Sequence, residues 1–289
     1  MKNDRFEEPE VSGREDDKIL SAEKFLHGRQ VAGAIPTAWH VPRSGDWESV
    51  EGAVIEEKNV CIQVNGQVLA RFMATPMELD ALALGFLRSE GVIAGPEDVA
   101  ELRVGPSGEC VDVWLARNVA LPDDADAIRT AGCGGGVTFD DLLHFTPEPF
   151  PALHLTPEQL IARYYEMRAT EVLYPITRGV HASALCTPDQ VLLIAEDVGR
   201  HNTLDKLWGK AMLRRIPTTG RIIVTTGRIS SEMLGKAAKM GAPVIASRTS
   251  PTSRSVALAR QWGVTLVAYI RRGGFRVYAG EKRLMNEGM

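Results

Sequence analysis

The sequence predicts an α/β protein of two units, a smaller N-terminal α+β unit followed by a C-terminal three-layer α/β/α unit. Three observations carry this expectation. Residues 50–115 read as hairpins around one helix. From Pro157 onward, strand-like apolar runs alternate with helix-like amphipathic segments, and crossovers of that length imply largely parallel strands with helices on both faces. Between the two patterns, the Pro-rich stretch 146–157 reads as a linker. The expected division is therefore an acidic, disordered tail over residues 1–45, an α+β unit over 46–145, and the α/β/α unit over 146–289.

The elements follow in order. Glu7, Glu8, Glu10, Glu15, Asp16 and Asp17 make the tail polar and charged, without the apolar residues a core needs. Residues 60–64 and 68–72 are strand-like and flank Asn65-Gly66, which tolerates the positive φ of a type I′ turn. Thr75 is placed to cap the next helix, with Pro76 at its first position and Glu78 completing a capping box. Leu79, Leu82, Ala83, Phe86 and Leu87 then form an apolar stripe, and Gly91 stops it. In the second unit, Thr156-Pro157-Glu158-Gln159 opens a helix by the same capping logic. Residues 180–186 and 191–195 read as a hairpin, and three strand-helix pairs follow: 191–195 with 201–214, 222–226 with 231–240, and 244–247 with 253–262. A last strand covers 264–270.

Composition narrows the function. With 289 residues, either unit can bury a core, and a net charge of −4 argues against a general nucleic-acid binder. No apolar run reaches the length of a membrane span and the N-terminus has no signal-peptide core, so a cytoplasmic protein is expected. Cys61, Cys110, Cys133 and Cys186 include no Cys-x-x-Cys pair, so neither the usual zinc spacing nor a disulfide framework is present.

Two regions carry chemistry. The joint from Glu196 to Lys206 packs two carboxylates, Arg200, His201 and Asn202 between a strand and a helix, where α/β proteins place ligand chemistry. Arg200, Arg228, Arg248 and Arg271-Arg272 each follow a strand of the second unit, with Ser230 and other hydroxyls beside them. Parallel strands bring these ends to one edge, where guanidinium groups and helix N-termini suit a pyrophosphate or nucleotide. His201 is a candidate phosphate donor or proton carrier, and Glu196 and Asp197 are candidates to orient Arg200 or accept from a guanine edge. The second region is Thr130-Ala131-Gly132-Cys133-Gly134-Gly135-Gly136. Four glycines in five residues imply an exposed, mobile loop, and their N–H groups can stabilise a thiolate able to carry sulfur as a persulfide. A plain linker and a phosphate loop are the alternatives, although the Gly-Lys-Ser/Thr ending of a P-loop is missing.

These elements resemble the FdhD family of sulfur-carrier accessory proteins of formate dehydrogenase. The resemblance rests on Ala74-Thr75-Pro76-Met77-Glu78-Leu79-Asp80, Leu84-Gly85-Phe86-Leu87, Glu90-Gly91 and the Cys133 loop. It continues through Thr177-Arg178-Gly179-Val180-His181-Ala182, residues 196–206, residues 225–233, and Thr265-Leu266-Val267-Ala268-Tyr269 leading into Arg271. It implies that a cysteine desulfurase loads sulfur onto Cys133 as a persulfide. The carrier then passes the sulfur to the bis-guanine-dinucleotide molybdenum cofactor of formate dehydrogenase. It also implies a cytidine-deaminase-like fold for the second unit and a cofactor-binding segment at Tyr269, Ile270, Arg271, Arg272, Gly273 and Gly274, joined on the sequence reading by Arg200, His201, Arg228 and Ser230. Many members carry a second loop cysteine where this chain has Gly136, so the carrier role rests on Cys133 alone. No intrinsic metal, no membrane partner and a homodimer are expected.

Two rivals stand beside this reading. A cofactor-binding chaperone would share the anion site without sulfur transfer. A zinc deaminase would need His-x-Glu and Pro-Cys-x-x-Cys, where this chain has His181-Ala182-Ser183 and no Cys pair.

Overall fold

The computed structural model describes residues 31–117, 119–121, 128–129, 137–138, 142 and 145–284. Cys133 and residues 1–30 lie outside the described residues. The first element among the described residues is a hairpin of β1 (Ala34–Arg43) and β2 (Asp46–Ile55), paired along their whole length. This corrects the expectation of a tail running to residue 45. Period-two alternation is present in Ile35, Thr37, Trp39 and Val41, but Pro36 and Pro42 disguise it. Proline is tolerated here because each strand of a two-stranded ribbon is an edge. The Trp39 ring lies directly over Gly52, where an added Cβ would come within 2.1 Å of it.

The first unit follows as β3 (Lys58–Val64), β4 (Gln67–Ala74), α1 (Leu79–Ser89), β5 (Val99–Val104) and β6 (Cys110–Leu115). Its sheet has the order β4-β3-β6-β5, with β3 and β6 parallel. Asn65 and Gly66 take φ of 50° and 83°, as the tight turn requires. The α1 stripe of Leu79, Leu82, Ala83, Phe86 and Leu87 packs on Val60, Ile62, Phe72, Val111 and Val113. The cap differs from expectation. Helix α1 begins after Glu78, which is left-handed at φ 52° and caps nothing with its side chain. Thr75 is engaged instead with the second unit, its N–H donating to Asp197 and its hydroxyl accepting from the Val198 N–H. A short ladder, β7 (Ile128–Arg129) with β8 (Val137–Thr138), stands on either side of residues 130–136.

The second unit contains α2 (Pro157–Thr170), α3 (Tyr174–Thr177), β9 (His181–Cys186), β10 (Val191–Asp197), α4 (Arg200–Leu213), β11 (Ile222–Thr225), α5 (Ser231–Lys239), β12 (Val244–Ser247), α6 (Ser253–Trp262), β13 (Thr265–Arg271) and β14 (Gly274–Ala279). Helix α2 opens with the expected capping box of Thr156 and Gln159. The sheet order is β10-β9-β11-β12-β13-β14. Strand β9 is antiparallel to both β10 and β11, and β11, β12 and β13 are parallel, so β10 to β13 all point the same way. Two features depart from the sequence reading: β9 sits inside the sheet, and β14 adds an antiparallel edge beyond residue 270. Leu204, Leu207, Met233, Ala237, Leu258 and Trp262 of the three crossover helices cover one face of the sheet. Leu160, Tyr164 and Met167 of α2 cover the other, which makes the three layers.

The two units meet through α1 and α4. A Cβ on Gly85 would sit 1.8 Å from the Asp205 carbonyl oxygen, and one on Gly209 would sit 1.9 Å from that of Ala81. The helices therefore touch backbone to backbone, a contact that only glycine permits.

Candidate functional site

Because β10 to β13 share a direction, their carboxyl ends form one edge, and the strand-end residues gather there. Arg200 opens α4, 8% exposed, against Gly227, where a Cβ would lie 2.8 Å from the Arg200 Cβ. Arg228 follows β11 and is exposed. Arg271 ends β13, exposed, and its Nη1 donates to the carbonyls of Arg248 at 3.0 Å and Ile270 at 2.8 Å. Arg248 also interacts with the hydroxyl of Tyr164 on α2. The Ser247 hydroxyl donates to the Gly227 carbonyl at 2.7 Å, tying the ends of β11 and β12 together.

The segment 269–274 is the turn of the β13–β14 hairpin. Tyr269 is left-handed at φ 57°, at a break in the register between Ala268 and Arg271. Its ring lies under the Arg276 guanidinium at 4.5 Å, and Arg272 lies over Tyr165 at 5.2 Å. Ile270 is fully buried in the core beneath α2, so its side chain cannot contact a ligand, whereas Gly273 lies exposed in the turn and Gly274, half-buried, opens β14. This edge presents exposed Arg228, Arg271 and Arg272.

The acidic residues of the joint are engaged elsewhere, which corrects their proposed role towards Arg200 or guanine. The Glu196 carboxylate accepts N–H bonds from Val172, Leu173 and Tyr174 at 2.8–3.1 Å and so anchors the start of α3. Asp197 is fully buried. Its Oδ2 pairs with Lys206 Nζ at 2.6 Å, and its Oδ1 accepts from the Gly199 N–H at 2.7 Å and Asn202 Nδ2 at 2.8 Å. Lys206 Nζ also donates to the Thr75 carbonyl at 3.0 Å. A second buried pair, Lys236 with Asp205 at 2.5 Å, is joined by the Ser89 hydroxyl of α1. The joint is therefore largely the polar seam that holds the two units together. Sequence reasoning missed Thr75, Asp205, Lys206 and Lys236 in this role. The available signal was a lysine set within the apolar stripe of Leu204 and Leu207.

His201 is 6% exposed, and its Nε2 lies 3.2 Å from Glu232 Oε2 and 3.3 Å from the Ser230 hydroxyl. Both contacts fall on one ring nitrogen, so no Ser-His-acid relay is formed. Burial, followed by the charges of Arg200, Lys236, His181 and Arg228, pushes its pKa down to about 3 from 6.5. Although the Glu232 distance would suit an ion pair, burial among cations favours the neutral ring. Burial among cations thus disfavours a charged His201 near neutrality, which weighs against the proton-carrier role. Ser230 is the N-cap of α5, accepting from the Met233 N–H at 3.3 Å.

A pH dependence follows. In the unfolded chain His201 takes a proton near pH 6.5, while the folded protein resists it down to about 3. Stability contributed by the neutral ring is complete above pH 6.5 and is lost as the pH falls towards 3. The slope should approach about 1.4 kcal/mol per pH unit. In urea titrations from pH 7 to 4, His201→Gln should flatten this acid limb. An unchanged limb would show that His201 is not buried neutral.

Two cavities lie away from this edge. One, of about 810 Å³, is lined by residues including Phe150, His154, Arg260, Tyr278, Lys282 and Arg283, near the start of β13. The other, of about 420 Å³, lies between Arg88, Phe145, Trp208 and Lys239. Neither contains a strand-end arginine. No helix among the described residues is long and apolar enough to cross a membrane. Among the described residues no three His, Cys, Asp or Glu side chains gather as metal ligands.

Comparison with known proteins places this architecture. The sulfur carrier protein FdhD of Bacillus subtilis is 31% identical over 255 residues, covering 87% of this chain and 97% of its own. That of Streptomyces avermitilis is 35% identical over 260 residues, covering 84% and 92% respectively. The crystal structure of a candidate formate dehydrogenase accessory protein from Desulfotalea psychrophila superposes with a TM-score of 0.72 at 30% identity, over 87% of this chain and 99% of that one. The FdhD/NarQ family model matches residues 55–285, from the end of β2 through the whole strand-end edge, and the chain belongs to that family.

Proposed function

We propose that this chain is a sulfur carrier, a sulfurtransferase in which Cys133 holds a persulfide. Cys133 takes the sulfur from a cysteine desulfurase and delivers it to the guanine-dinucleotide molybdenum cofactor of formate dehydrogenase. The observation that carries this reading is the state of the other three thiols. Cys61 and Cys186 are fully buried in strands. Burial raises the pKa of Cys61 and pushes that of Cys186 up to about 12. Cys110 is half-buried within a sheet. None of these three suits attack on a persulfide held in another protein's active site. Cys133, among its glycines, is the remaining thiol for that attack on a partner-held persulfide. Its thiolate would attack the terminal sulfur of the donor persulfide, forming one S–S bond as another breaks and the desulfurase thiolate leaves. The relatives' names support the same activity.

The cargo's phosphates suit the strand-end edge, where Arg228, Arg271 and Arg272 remain exposed. Arg271 is held by the carbonyls of Arg248 and Ile270, which leaves the rest of its guanidinium fork for an anion.

Mass spectrometry of the full chain after incubation with a desulfurase and cysteine tests the carrier step. One sulfur atom should appear on Cys133, and Cys133→Ala should acquire none and should fail to support formate dehydrogenase activity. Sulfur found chiefly on Cys61, Cys110 or Cys186 would overturn the assignment. A parent chain that binds cofactor but acquires no sulfur would favour the chaperone reading. For the cargo step, Arg228→Ala and Arg271→Ala should each weaken binding of guanosine diphosphate roughly ten- to a hundredfold by calorimetry, about 1.5–3 kcal/mol for a lost charged hydrogen bond. Both variants should still load sulfur. Binding at parental strength in either would exclude that arginine from the site.

A further inference from the structure

Cys61 and Cys110 stand directly opposite each other on the parallel neighbours β3 and β6. Residues paired in this way project from the same face of the sheet. Gln63 lies two residues further along β3, on that same face. Its Nε2 reaches both sulfurs, Cys61 Sγ at 3.6 Å and Cys110 Sγ at 3.8 Å. The two thiols also lie within hydrogen-bonding reach of each other. A disulfide needs Cα atoms about 4.4–6.8 Å apart, and adjacent strands lie about 4.7–4.9 Å apart, so the backbone already provides the spacing.

Access to the two sulfurs is unequal. Cys61 is fully buried, while Cys110 is only half-buried, at the start of β6. On the far side of Cys61, Arg71 of β4 is its cross-strand partner, and its charge favours the Cys61 thiolate, although burial outweighs it. A small reagent therefore meets Cys110 first and finds Cys61 positioned to react second.

We propose that Cys61 and Cys110 form a reversible cross-strand dithiol site whose co-substrate is a small-molecule disulfide such as oxidised glutathione. The Cys110 thiolate attacks one sulfur of that disulfide, forming a mixed disulfide and releasing one small thiol. The Cys61 thiolate then attacks the Cys110 sulfur, closing the intramolecular bond and expelling the second thiol. The protein gives up two electrons and two protons, and the small disulfide leaves as two thiols. Excess thiol reverses both steps. The closed bond joins β3 to β6 around β4, α1 and β5, and so encloses the helix that docks on the second unit. The site is independent of sulfur loading at Cys133.

The test uses full-length Cys133→Ala protein, so that the remaining thiols react without competition from the loop. After treatment with oxidised glutathione, intact mass should fall by two hydrogens. Trypsin should then yield one linked species of residues 59–71 with residues 104–117, which hold Cys61 and Cys110 respectively. Dithiothreitol should separate them. Adding Cys61→Ser should trap glutathione on Cys110, and Cys61→Ala does the same should serine destabilise the strand. Adding Cys110→Ser should leave Cys61 unmodified. Glutathione persisting on Cys110 while Cys61 is present, no reaction at either thiol, or a linkage to Cys186 would each overturn the proposal.

Discussion

Lys206→Met is expected to destabilise the protein by about 3–5 kcal/mol, the cost of removing one partner from a buried ion pair. For a chain of this size that lowers Tm by on the order of 10 °C. Lys206 and Asp197 are both 0% exposed at the side chain, with Nζ 2.6 Å from Oδ2. The same ammonium donates to the Thr75 carbonyl at 3.0 Å, which belongs to the first unit. Removing it leaves the carboxylate without its counter-charge and the Thr75 carbonyl without its ammonium donor, in a seam that water does not reach. Replacing both partners, as in Lys206→Met with Asp197→Leu, should not restore stability. Asp197 also accepts from the N–H groups of Thr75 and Gly199 and from Asn202, and an apolar residue would leave these buried donors unmet. Thermal unfolding measures both variants. A Lys206→Met protein that melts like the parent would mean the seam is open to water in solution.

Gly85→Ala is the second large effect. The added methyl would fall 1.8 Å from the Asp205 carbonyl oxygen, which belongs to helix backbone and cannot rotate aside as a side chain would. Relief requires α1 and α4 to separate, disturbing the neighbouring contact of Gly209 with Ala81 and the Lys236–Asp205–Ser89 cluster beside it. Overpacking a well-filled contact costs about 1–3 kcal/mol, and occasionally more. A rigid backbone clash places this one at or above the upper end. Urea unfolding should show a lower midpoint, and a second transition should appear if the units come apart before either unfolds. Parental stability for Gly85→Ala would mean the helices lie further apart than described.

Periodicity and turn chemistry were enough to locate most elements. The Asn65-Gly66 hairpin, the stripe of α1, the capping box of Thr156 and Gln159, and the three strand-helix crossovers all depend on neighbours within a few residues. Local rules failed where two local roles competed. Thr75 has the pattern of a cap, but its hydroxyl and N–H gain more by closing the seam with Asp197 and Val198. The β1–β2 ribbon was hidden because its prolines argue against a strand, and only an edge strand accommodates them.

The sequence by itself determined the fold class, the order of most helices and strands, and the fact that an arginine stands at or just after the carboxyl end of each of β10, β11, β12 and β13. Those are properties of spacing along the chain, and spacing is written in the residues. Tertiary structure alone decided what each charged group does. Strand order set β9 between β10 and β11 yet left four carboxyl ends on one edge, so Arg228 and Arg271 stand exposed together. Burial in the seam between α1 and α4 turned Asp197 and Lys206 into each other's partners, and packing buried His201 among cations that disfavour its charged form. Identical residue types in one stretch thus divide into seam and candidate site, because a charge is open to a ligand only where the fold has not already surrounded it with partners.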